Sequence, residues 1–507
     1  GSPYGTNEEL YLYQKLFRTG IGTNNIDHKT YADTPGLPIS HCDFTQVEKA
    51  NLILLVASDP TEEVPILDLR IKKAVTRLGA RLAVLNDQRT ELDKFACQSL
   101  RYNVGSGETA IEALTQVLSR DLGLASGPVP KDVEKTCGIG LDRIEKLSES
   151  IRTSLKVCVV YNPASLEGNA VHALKALLSV IQQVPTIECG AMPAAPGTNS
   201  VGAMDMGVLP DFYPGGVPLT DADAIKQAWG EKAPLERGLS ALEMIEKARS
   251  GELKALVVYR SNPAVDFPGG RAVEEALKKL QLLVVHDMLE TETARLAHYV
   301  LPSNGPACDE GTLTNIGGRV QYRRRGLVTH NPPDWKIVSL MARELGDAAA
   351  YKDPFAVTAE ISAKVPAYAG IDKKSLKGEG KNRGPMRYVE GDRAPSAPAP
   401  VRPEGGLRLR VSHYLFARDK ILDASSPLAH HFKPGAAYLH PDDARALGVK
   451  SGDEAVVVSG SASVKVAVEV ADRCNPGAVV LPRVSDEQGV FSLMNGSGPV
   501  AWVQIKK

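Results

Sequence analysis

The sequence predicts an α/β protein with open, mostly parallel sheets covered by helices on both faces, followed by a small carboxyl-terminal β-barrel. Three strand–helix–strand units support the first part of this prediction, and a change of pattern after a proline-rich segment supports the second. A chain of 507 residues is too long for one core, and a typical size of about 150 residues per domain indicates three or four domains.

The clearest unit begins with ANLILLVASDP, in which Asp59-Pro60 ends a short buried strand. VPILDLRIKKAVTRLG follows with apolar residues at helical spacing and Gly79 as its stop, and ARLAVLND supplies the next strand. This order implies parallel strands joined by a right-handed crossover. The pattern returns in LKVCVVYNP with AVHALKALLSVIQQV, and again in LKALVVYRSNP, GRAVEEALKKL and QLLVVHDML.

Polar turn residues follow the predicted strands. Ligands of open α/β sheets bind beyond the carboxyl ends of the strands, so these turns could line one shared crevice. For any single turn, the alternative is that Asp or Asn before Pro only shapes the backbone. The turns are Asp59-Pro60, Asp87-Gln88-Arg89, Asn162-Pro163, Asn262-Pro263 and Asp287.

The carboxyl-terminal fifth has a different pattern. Residues 384–406 are rich in proline, alanine and charge without periodicity, which is typical of an extended linker. Short strands with regular turns then predict a closed barrel over residues 407–507. The remaining chain is predicted to form a discontinuous α/β domain of residues 1–30 and 150–383, with a second α/β domain inserted over residues 31–149.

The charge balance gives no reason to expect nucleic acid or an anionic membrane as a partner, because the net charge is −1. The run Arg323 to Arg325 is interpreted as a solvated loop. No apolar run approaches the roughly 18 residues of a membrane helix, so no direct membrane insertion is expected.

The seven cysteines are scattered and form no C-x-x-C pair, so the chain lacks the usual ligand spacing of an iron–sulphur cluster or a structural zinc site. We interpret them as buried free thiols in a reducing compartment. The phosphate-binding loops G-x-G-x-x-G and G-x-x-x-x-G-K-[ST] are also missing, as are H-E-x-x-H and G-x-S-x-G.

Several blocks, in this order, resemble the molybdopterin oxidoreductase superfamily of formate dehydrogenases and nitrate reductases. They include GTNNID, LNDQRTELDKFA, HDMLETETARLAHYVLPSNGPACDEGTLTNIGGRVQ and LHPDDARALGVKSGDEAVVVS. The resemblance spans essentially the whole chain and implies a formate dehydrogenase/DMSO reductase-like fold. The cofactor-pocket positions that it implies are Asn24, Asn25, Asp33, Asp87, Arg89, Thr291, Glu292, Thr293, Thr312 and Asn315.

A narrower segment is similar to the large iron–sulphur G subunit of NADH–quinone oxidoreductase, respiratory complex I. It is VEKANLILLVASDPTEEVPILDLRIKKAV, in which Glu63, Pro65 and Arg70 stand at the matching positions. In that subunit the fold is kept but the molybdenum centre is generally absent. The resemblance implies a non-catalytic scaffold on the cytoplasmic side of an inner-membrane complex. Its partners would be the NADH-binding and iron–sulphur subunits, with iron–sulphur clusters in an amino-terminal part outside this chain.

Asp33 decides between a vestigial and an active pocket. By position count it stands where the superfamily places its metal ligand, and Thr34 stands where formate dehydrogenases have a catalytic histidine. A carboxylate can bind a hard metal, so the alternative is an active molybdenum or tungsten bis-pterin oxidoreductase with Asp33 as ligand. The missing histidine removes the obvious proton carrier, which favours a vestigial pocket with no cofactor in this chain.

The pyrophosphates of such a cofactor need cationic donors. Arg89, Arg260 and Arg271 follow predicted strand ends and are the candidates. A third hypothesis, a nucleotide-binding module that uses the strand-end crevice, also remains.

Overall fold

The computed structural model describes residues 1–30, 40–124, 127, 129, 132–346, 350–386, 402–415, 427, 435–483, 489–494 and 501–506. Asp33, Thr34 and most of the predicted linker lie outside these residues. The chain divides into two compact units. Unit 1 consists of Gly1–Thr30, Pro196–Phe267 and Arg271–Gly391, and unit 2 consists of Tyr31–Ala195, Pro268–Gly270 and Asp392–Lys507.

The described strands are, in chain order, β1 Ser40–His41, β2 Leu52–Val56, β3 Arg81–Asn86, β4 Gln98–Arg101, β5 Lys156–Tyr161, β6 Glu188–Pro193, β7 Phe212–Tyr213, β8 Val217–Pro218, β9 Ala255–Tyr259, β10 Leu282–Asp287, β11 Tyr299–Pro302, β12 Gly311–Thr314, β13 Arg319–Arg323, β14 Lys381–Asn382, β15 Leu407–Ser412, β16 Ala436–Leu439, β17 Glu454–Ser459, β18 Ala462–Val470, β19 Ala478–Pro482 and β20 Ala501–Lys506.

The described α-helices are α1 Asn7–Lys15, α2 Phe44–Glu48, α3 Pro60–Glu63, α4 Pro65–Arg77, α5 Gly107–Asp121, α6 Val133–Cys137, α7 Leu141–Arg152, α8 Ala170–Gln182, α9 Ser200–Asp205, α10 Ala222–Trp229, α11 Ala241–Ser250, α12 Pro263–Asp266, α13 Arg271–Lys278, α14 Glu292–Arg295, α15 Asp334–Glu344, α16 Pro354–Lys364 and α17 Pro441–Leu447. None of the described helices is long and apolar enough to cross a membrane.

The main sheet of unit 2 has the strand order β1-β6-β5-β2-β3-β4, and all neighbouring strands run parallel. β2 lies inside the sheet and all five of its residues are buried. Its continuous apolar sequence, LILLV, is typical of a parallel strand covered on both faces. The helices α5, α7 and α8 contribute to the core that covers this sheet.

The division into units differs from the predicted boundary at residue 149. β5 pairs with β2 from Leu52 against Val157 to Val56 against Tyr161, and β6 pairs with β5. Unit 2 therefore continues to Ala195 before the chain enters unit 1. The sequence pattern identifies each strand–helix pair, but the sheet that a strand joins depends on long-range pairing.

Unit 2 also contains the barrel, which closes in the order β15-β19-β16-β18-β17-β20. Inward-facing valines and leucines such as Leu409, Val457 and Val479 fill its core. β17 and β18 form a hairpin that turns between Ser459 and Ala462. The predicted parallel α/β sheets and the carboxyl-terminal barrel are both confirmed.

Unit 1 contains the parallel sheet β11-β10-β9 and the antiparallel sheet β12-β13-β14. Helix α1 packs against α15, α16 and β12, and eight of its nine residues are buried. A capping box starts α1, because the Thr6 hydroxyl accepts from the Glu9 backbone N–H and the Glu9 carboxylate accepts from the Thr6 N–H. This arrangement places the Glu9 carboxylate inside the protein.

Candidate functional site

Unit 2 has a small cavity beyond the carboxyl ends of β3 and β5. Asp87 directly follows β3, and α5 begins beside it at Gly107. The cavity has an empty volume of about 200 Å³. Its lining residues are Asp87, Tyr102, Gly105, Gly107, Ser165, Leu166, Glu167 and Ala170.

Asp87 is buried beside the barrel strand β15. Its Oδ2 lies 3.0 Å from Nε of Arg410, which is also buried. Its second oxygen, Oδ1, has no hydrogen-bond partner in the described part of the chain, and the same is true of Glu167 Oε2 and Arg408 Nη1. Buried polar atoms are normally paired, so these three unpaired atoms mark a place that can receive a ligand or ordered water.

Two carboxyl groups near Arg410, those of Glu167 and Glu63, have raised pKa values. Burial raises the pKa of Glu167 to about 8 although Arg410 opposes the rise. Burial also raises the pKa of Glu63 to about 7. Near neutral pH, Glu167 therefore carries a proton for most of the time and offers both a donor and an acceptor. Such groups suit the N–H and hydroxyl groups of a ligand better than its phosphates.

The group suited to bind a phosphate, the amino terminus of α5, lies on the other side of this cavity. Helix α5 has 15 residues, and its amino terminus carries the positive end of the helix dipole. Gly105 has φ +84°, and a Cβ atom there would lie 3.4 Å from Arg408 Cζ. A Cβ at Gly107 would lie 3.4 Å from the Tyr102 ring. Glycine at these two positions keeps the entrance of the cavity open.

The turn Asp87-Gln88-Arg89 contacts the barrel within unit 2. The Ser412 hydroxyl donates to Gln88 Oε1 at 2.8 Å, and the Arg89 N–H donates to the Arg473 carbonyl at 2.6 Å. The Arg89 side chain is 62% exposed and lies 3.7 Å from Asp472. Arg89 thus contributes its backbone to the fold, and it is not among the residues that line this cavity.

In unit 1, Asn24 and Asn25 make structural hydrogen bonds. Asn24 accepts from Arg18 Nε at 2.8 Å, and its amide donates to the carbonyls of Pro234 and Glu236. Asn25 Oδ1 accepts from the Leu239 N–H at 2.8 Å. Both side chains tie the segment after α1 to the segment before α11.

The Thr-Glu-Thr block forms the start of α14. The Thr291 hydroxyl caps this helix by accepting from the Ala294 N–H. Asn262 links to the other two residues, because its amide donates to Glu292 at 2.8 Å and its oxygen accepts from the Thr293 hydroxyl at 2.8 Å. The predicted site residues of this block hold β9 and α14 together.

Thr312 and Asn315 are used in the same way. The Thr312 hydroxyl and N–H both donate to the Glu8 carboxylate, at 2.8 and 2.7 Å. Asn315 Oδ1 accepts from the N–H groups of Gly317 and Arg319 and closes the turn between β12 and β13. The two bonds between Thr312 and Glu8 fasten α1 to β12.

Arg260, which follows β9, is the most constrained predicted site residue. Its Nη1 and Nη2 bind the two oxygens of Asp309 at 2.7 and 2.9 Å, and Nη2 also binds Asp334 Oδ2 at 2.8 Å. Nε donates to the Ser303 hydroxyl, and Nη2 to the Asn304 carbonyl. The side chains of Arg260, Asp309 and Asp334 are at most 2% exposed.

This network corrects the prediction that Arg260 binds a pyrophosphate, because both edges of its guanidinium are occupied. The backbone of Arg260 has φ +46°, a left-handed conformation that costs a non-glycine residue about 1–3 kcal/mol. The surrounding ion pairs offset that cost. Arg271, the third predicted donor, is 89% exposed and pairs with Glu275 on its own helix.

The third carboxylate of the network is Glu9. Tyr259 donates a 2.8 Å hydrogen bond to its Oε2. Oxygens of Glu9, Asp309 and Asp334 lie within 4.8 Å of one another and could hold a metal ion, but the Arg260 guanidinium already supplies a cation there. Burial raises the pKa of Glu9 to about 7; Arg260 opposes this rise, and Asp334 adds to it.

His286 lies against the same network. Its Nδ1 shares a 2.6 Å hydrogen bond with the Tyr13 hydroxyl, and its Nε2 lies 3.7 Å from Asp334 Oδ2. Burial lowers the pKa of His286 to about 4, so the imidazole is neutral at pH 7. The network thus contains the Arg260 guanidinium, a neutral imidazole and a protonatable Glu9, and Arg323 Nη1 lies 3.6 Å from Asp309 at its edge.

The sequence interpretation missed Glu167, Arg408 and Arg410. A signal for the two arginines exists in LRLRV, where they alternate with the core residues Leu407 and Leu409 and so share the opposite face of β15. Two charges on one face of a barrel strand indicate a buried or ligand-facing partner. Glu167 has no comparable signal, because it follows β5 in an irregular loop.

Two known protein families match parts of this chain. The family described as Molybdopterin oxidoreductase matches residues 2–344. The chain belongs to the molybdopterin oxidoreductase family. The Molydopterin dinucleotide binding domain matches residues 424–498.

The chain is similar over its whole length to two bacterial proteins. It is 28% identical to the NADPH-Fe(3+) oxidoreductase subunit alpha of Geobacter sulfurreducens and 29% identical to the NADH-quinone oxidoreductase G 2 subunit of Rhizobium meliloti. It covers 63% and 62% of these two proteins. It is also 26% identical over 94% of its length to the F420-dependent formate dehydrogenase subunit alpha of Methanocaldococcus jannaschii, of which it covers 80%.

A solved structure shares this fold. Acetylene hydratase from Pelobacter acetylenicus superposes with a TM-score of 0.67, at 15% sequence identity, over 98% of this chain and 82% of the other. The similarity to a DMSO reductase-like fold confirms the predicted fold class.

The two units differ in how well they fit the pterin cofactor that the family implies. In unit 2, the unpaired Asp87 Oδ1, Glu167 Oε2 and Arg408 Nη1 offer polar contacts to a ligand. The space of about 200 Å³ among the lining atoms includes open solvent, and its enclosed part has room for about one water molecule, so the cavity as it stands does not enclose a nucleotide. In unit 1, the predicted side chains, Arg260 among them, are committed to internal bonds.

We predict that Arg260→Met lowers the free energy of unfolding by about 3–5 kcal/mol, because it removes the guanidinium that binds both Asp309 and Asp334. Only the longer contact of Arg323 with Asp309, at 3.6 Å, would remain. Arg271→Met is the matched control, since that arginine is exposed, and we expect little change for it. Urea denaturation of both variants measures the difference. Equal stability of the two variants would contradict the assignment of Arg260 as a buried structural cation.

Glu9 gives a pH-dependent prediction. Its folded-state pKa, about 7, lies above the ordinary value of 4.5, so the folded protein binds more protons than the unfolded chain between these pH values. The Glu9 contribution to stability therefore falls as pH rises through this window and is constant above it. Glu9→Gln should flatten the curve, and the stability of this variant relative to wild type should increase from about pH 5 to about pH 8.

The control for Glu9 is Glu243→Gln. Glu243 holds the equivalent third position of the α11 capping box, but its pKa is lowered, with Ser240 and Arg237 favouring the charged form. Its contribution is lost as pH falls, so Glu243→Gln should show no relative gain at higher pH. If the stabilities of the two variants relative to wild type changed with pH in the same way, burial of Glu9 would not explain the change.

Proposed function

We propose that this chain is a scaffold segment of a protein like the G subunit of NADH–quinone oxidoreductase, and that it has no catalytic metal centre of its own. The observation that carries this proposal is the commitment of Arg260. A family scaffold that used unit 1 to hold an anionic cofactor would need free cationic donors there. Arg260 is instead neutralised by Asp309 and Asp334.

The bonding of the other predicted residues supports the same proposal. Asn24, Thr291, Thr312 and Asn315 each complete a cap, a turn or a contact between elements of unit 1. A protein that retains these bonds keeps its fold whether or not a cofactor binds. The similarity to the Rhizobium meliloti protein, over 100% of this chain, adds the expectation of a multisubunit complex.

In this proposal, electrons pass through iron–sulphur clusters outside this chain. The chain supports the NADH-binding and iron–sulphur subunits on the cytoplasmic side of an inner-membrane complex. Its contribution to the reaction is to hold those subunits in place.

A second candidate function is an active molybdenum or tungsten pterin oxidoreductase, and the cavity of unit 2 favours it. Asp87 and Glu167 would accept from the base or ribose of the nucleotide, and Arg408 with the amino terminus of α5 would neutralise its phosphate. The bound group would supply a redox-active metal, with Asp33 as the proposed ligand. The similarity to a formate dehydrogenase makes a small one-carbon or oxyanion substrate the natural choice.

Metal analysis separates the two functions. For the scaffold, we expect no stoichiometric molybdenum, tungsten or pterin in the purified chain, and the same result for Asp33→Ala. About one metal per chain in the wild type, lost in Asp33→Ala and retained in a control such as Asp372→Ala, would establish the second function instead. Asp372 is an exposed residue that caps a turn through Ser375.

A thermal-shift assay tests the unit 2 cavity separately. A ligand that binds only the folded state raises the melting temperature. If the cavity binds nucleotides, guanosine or adenosine diphosphate should raise the melting temperature of the wild type, and Asp87→Asn should remove this shift. A scaffold with an unused cavity shows no shift with either nucleotide.

A further inference from the structure

The run Arg323-Arg324-Arg325 is not absorbed by the proposed function, and its structure differs from a simple solvated loop. Arg323 ends β13 and turns inward, where its Nε donates to the Pro306 carbonyl and its Nη1 lies 3.6 Å from Asp309. Arg324 and Arg325 are exposed. No carboxylate in the described part of the chain lies within 4 Å of either of them.

Aromatic rings extend this basic surface. The Arg324 guanidinium lies 5.8 Å from the Tyr322 ring centre, and that ring meets Phe355 edge-on at 5.1 Å. Lys373 Nζ lies 4.4 Å from the centre of the Phe355 ring. Together Arg324, Arg325, Tyr322, Phe355 and Lys373 form what we call the basic patch. Two of its cations, Arg324 and Lys373, lie against rings.

The loop after the patch exposes two aliphatic side chains. Leu327 is 61% exposed and Val328 is 83% exposed. The loop is nonetheless held in place: the N–H groups of Gly326 and Leu327 donate to the Ala307 carbonyl at 2.8 and 2.9 Å, and the Thr329 hydroxyl donates to Asn304 at 2.6 Å. A loop fixed in this way loses little further entropy when its apolar side chains are covered.

Some other exposed cations of unit 1 are paired with carboxylates. Lys278 lies 2.5 Å from Glu274, and Arg249 lies 2.6 Å from Glu246. The net charge of the chain is −1, so the basic patch is a local excess rather than part of a basic protein. Arginine and tyrosine are enriched in protein-binding hot spots, and covering the exposed aliphatic side chains beside them removes apolar surface from water.

We propose that the basic patch and the Leu327-Val328 loop form a docking surface for an acidic face of another protein. The partner is recognised by carboxylates opposite Arg324, Arg325 and Lys373 and by an apolar depression that receives Leu327 and Val328. Charge complementarity selects the partner and speeds its association, while the two aliphatic side chains slow its release. The surface is independent of the cavity in unit 2 and serves the chain in either function described above.

A labelled acidic peptide tests this surface. The probe has about 20 residues, comparable to one side of a typical interface, and alternates glutamate pairs with leucine. We expect the full chain to bind it in the micromolar range. Arg324→Ser with Arg325→Ser should weaken binding about tenfold, and Leu327→Ser with Val328→Ser should weaken it by a similar factor.

The matched control is Lys278→Ser with Lys279→Ser, two exposed cations of the same unit, which should leave peptide binding unchanged. All substituted side chains are exposed, so melting temperatures should match the wild type. No binding by the wild type, equal losses in the control and the arginine variant, or no effect of the Leu327 and Val328 changes would overturn the proposal. Tighter binding to duplex DNA or to phosphatidylserine vesicles than to the peptide would also overturn it.

Discussion

The buried ion pairs of Arg260 are the constraint on which unit 1 depends. They connect the end of β9 to Asp309 before β12 and to Asp334 at the start of α15. Tyr259, the preceding residue, links the same network to Glu9 in α1. A guanidinium that joins elements so far apart in the chain cannot be released to bind a ligand without weakening the charge compensation of two buried carboxylates. The network therefore fixes the fold and limits its chemistry.

In unit 2, by contrast, some polar atoms at the strand ends are left unpaired. The turn after β3 is anchored to the barrel through Gln88 and through the pair of Asp87 with Arg410, yet Asp87 keeps one oxygen unpaired. Burial keeps Glu167 protonated near neutral pH by raising its pKa. The strand ends of unit 2 thus retain unpaired polar atoms, whereas the predicted site residues of unit 1 bond to other groups within the protein.

Much of the fold could be predicted from the sequence because its signals are local. Continuous apolar runs such as LILLV indicated parallel strands, Asp-Pro and Asn-Pro indicated their ends, and regular short strands indicated the barrel. The family blocks led to the correct superfamily. The predicted boundary near residue 149 differs from the observed division, because neither strand sequence alone shows that β5 pairs with β2.

The candidate site was harder to predict, for a physical reason. Arg260 follows a strand, as a phosphate-binding arginine would, but Asp309 and Asp334 lie 49 and 74 residues further along the chain. Nothing local to Arg260 shows that these carboxylates reach it. Arg89 illustrates the reverse case, since its turn was located correctly but its side chain points to solvent. The sequence shows where a residue lies relative to a strand, but it does not show which distant residue will pair with its charge.

A double-mutant cycle between Arg260 and Asp309 tests most directly whether the Arg260 guanidinium is a buried structural cation. The free energy of unfolding is measured for wild type, Arg260→Met, Asp309→Asn and the double variant. We predict a coupling energy of more than about 2 kcal/mol. Each single variant leaves one buried charge without its partner, whereas the double variant removes both charges of the pair together. A coupling energy near zero would mean that Arg260 is free to act elsewhere, and would contradict its structural role.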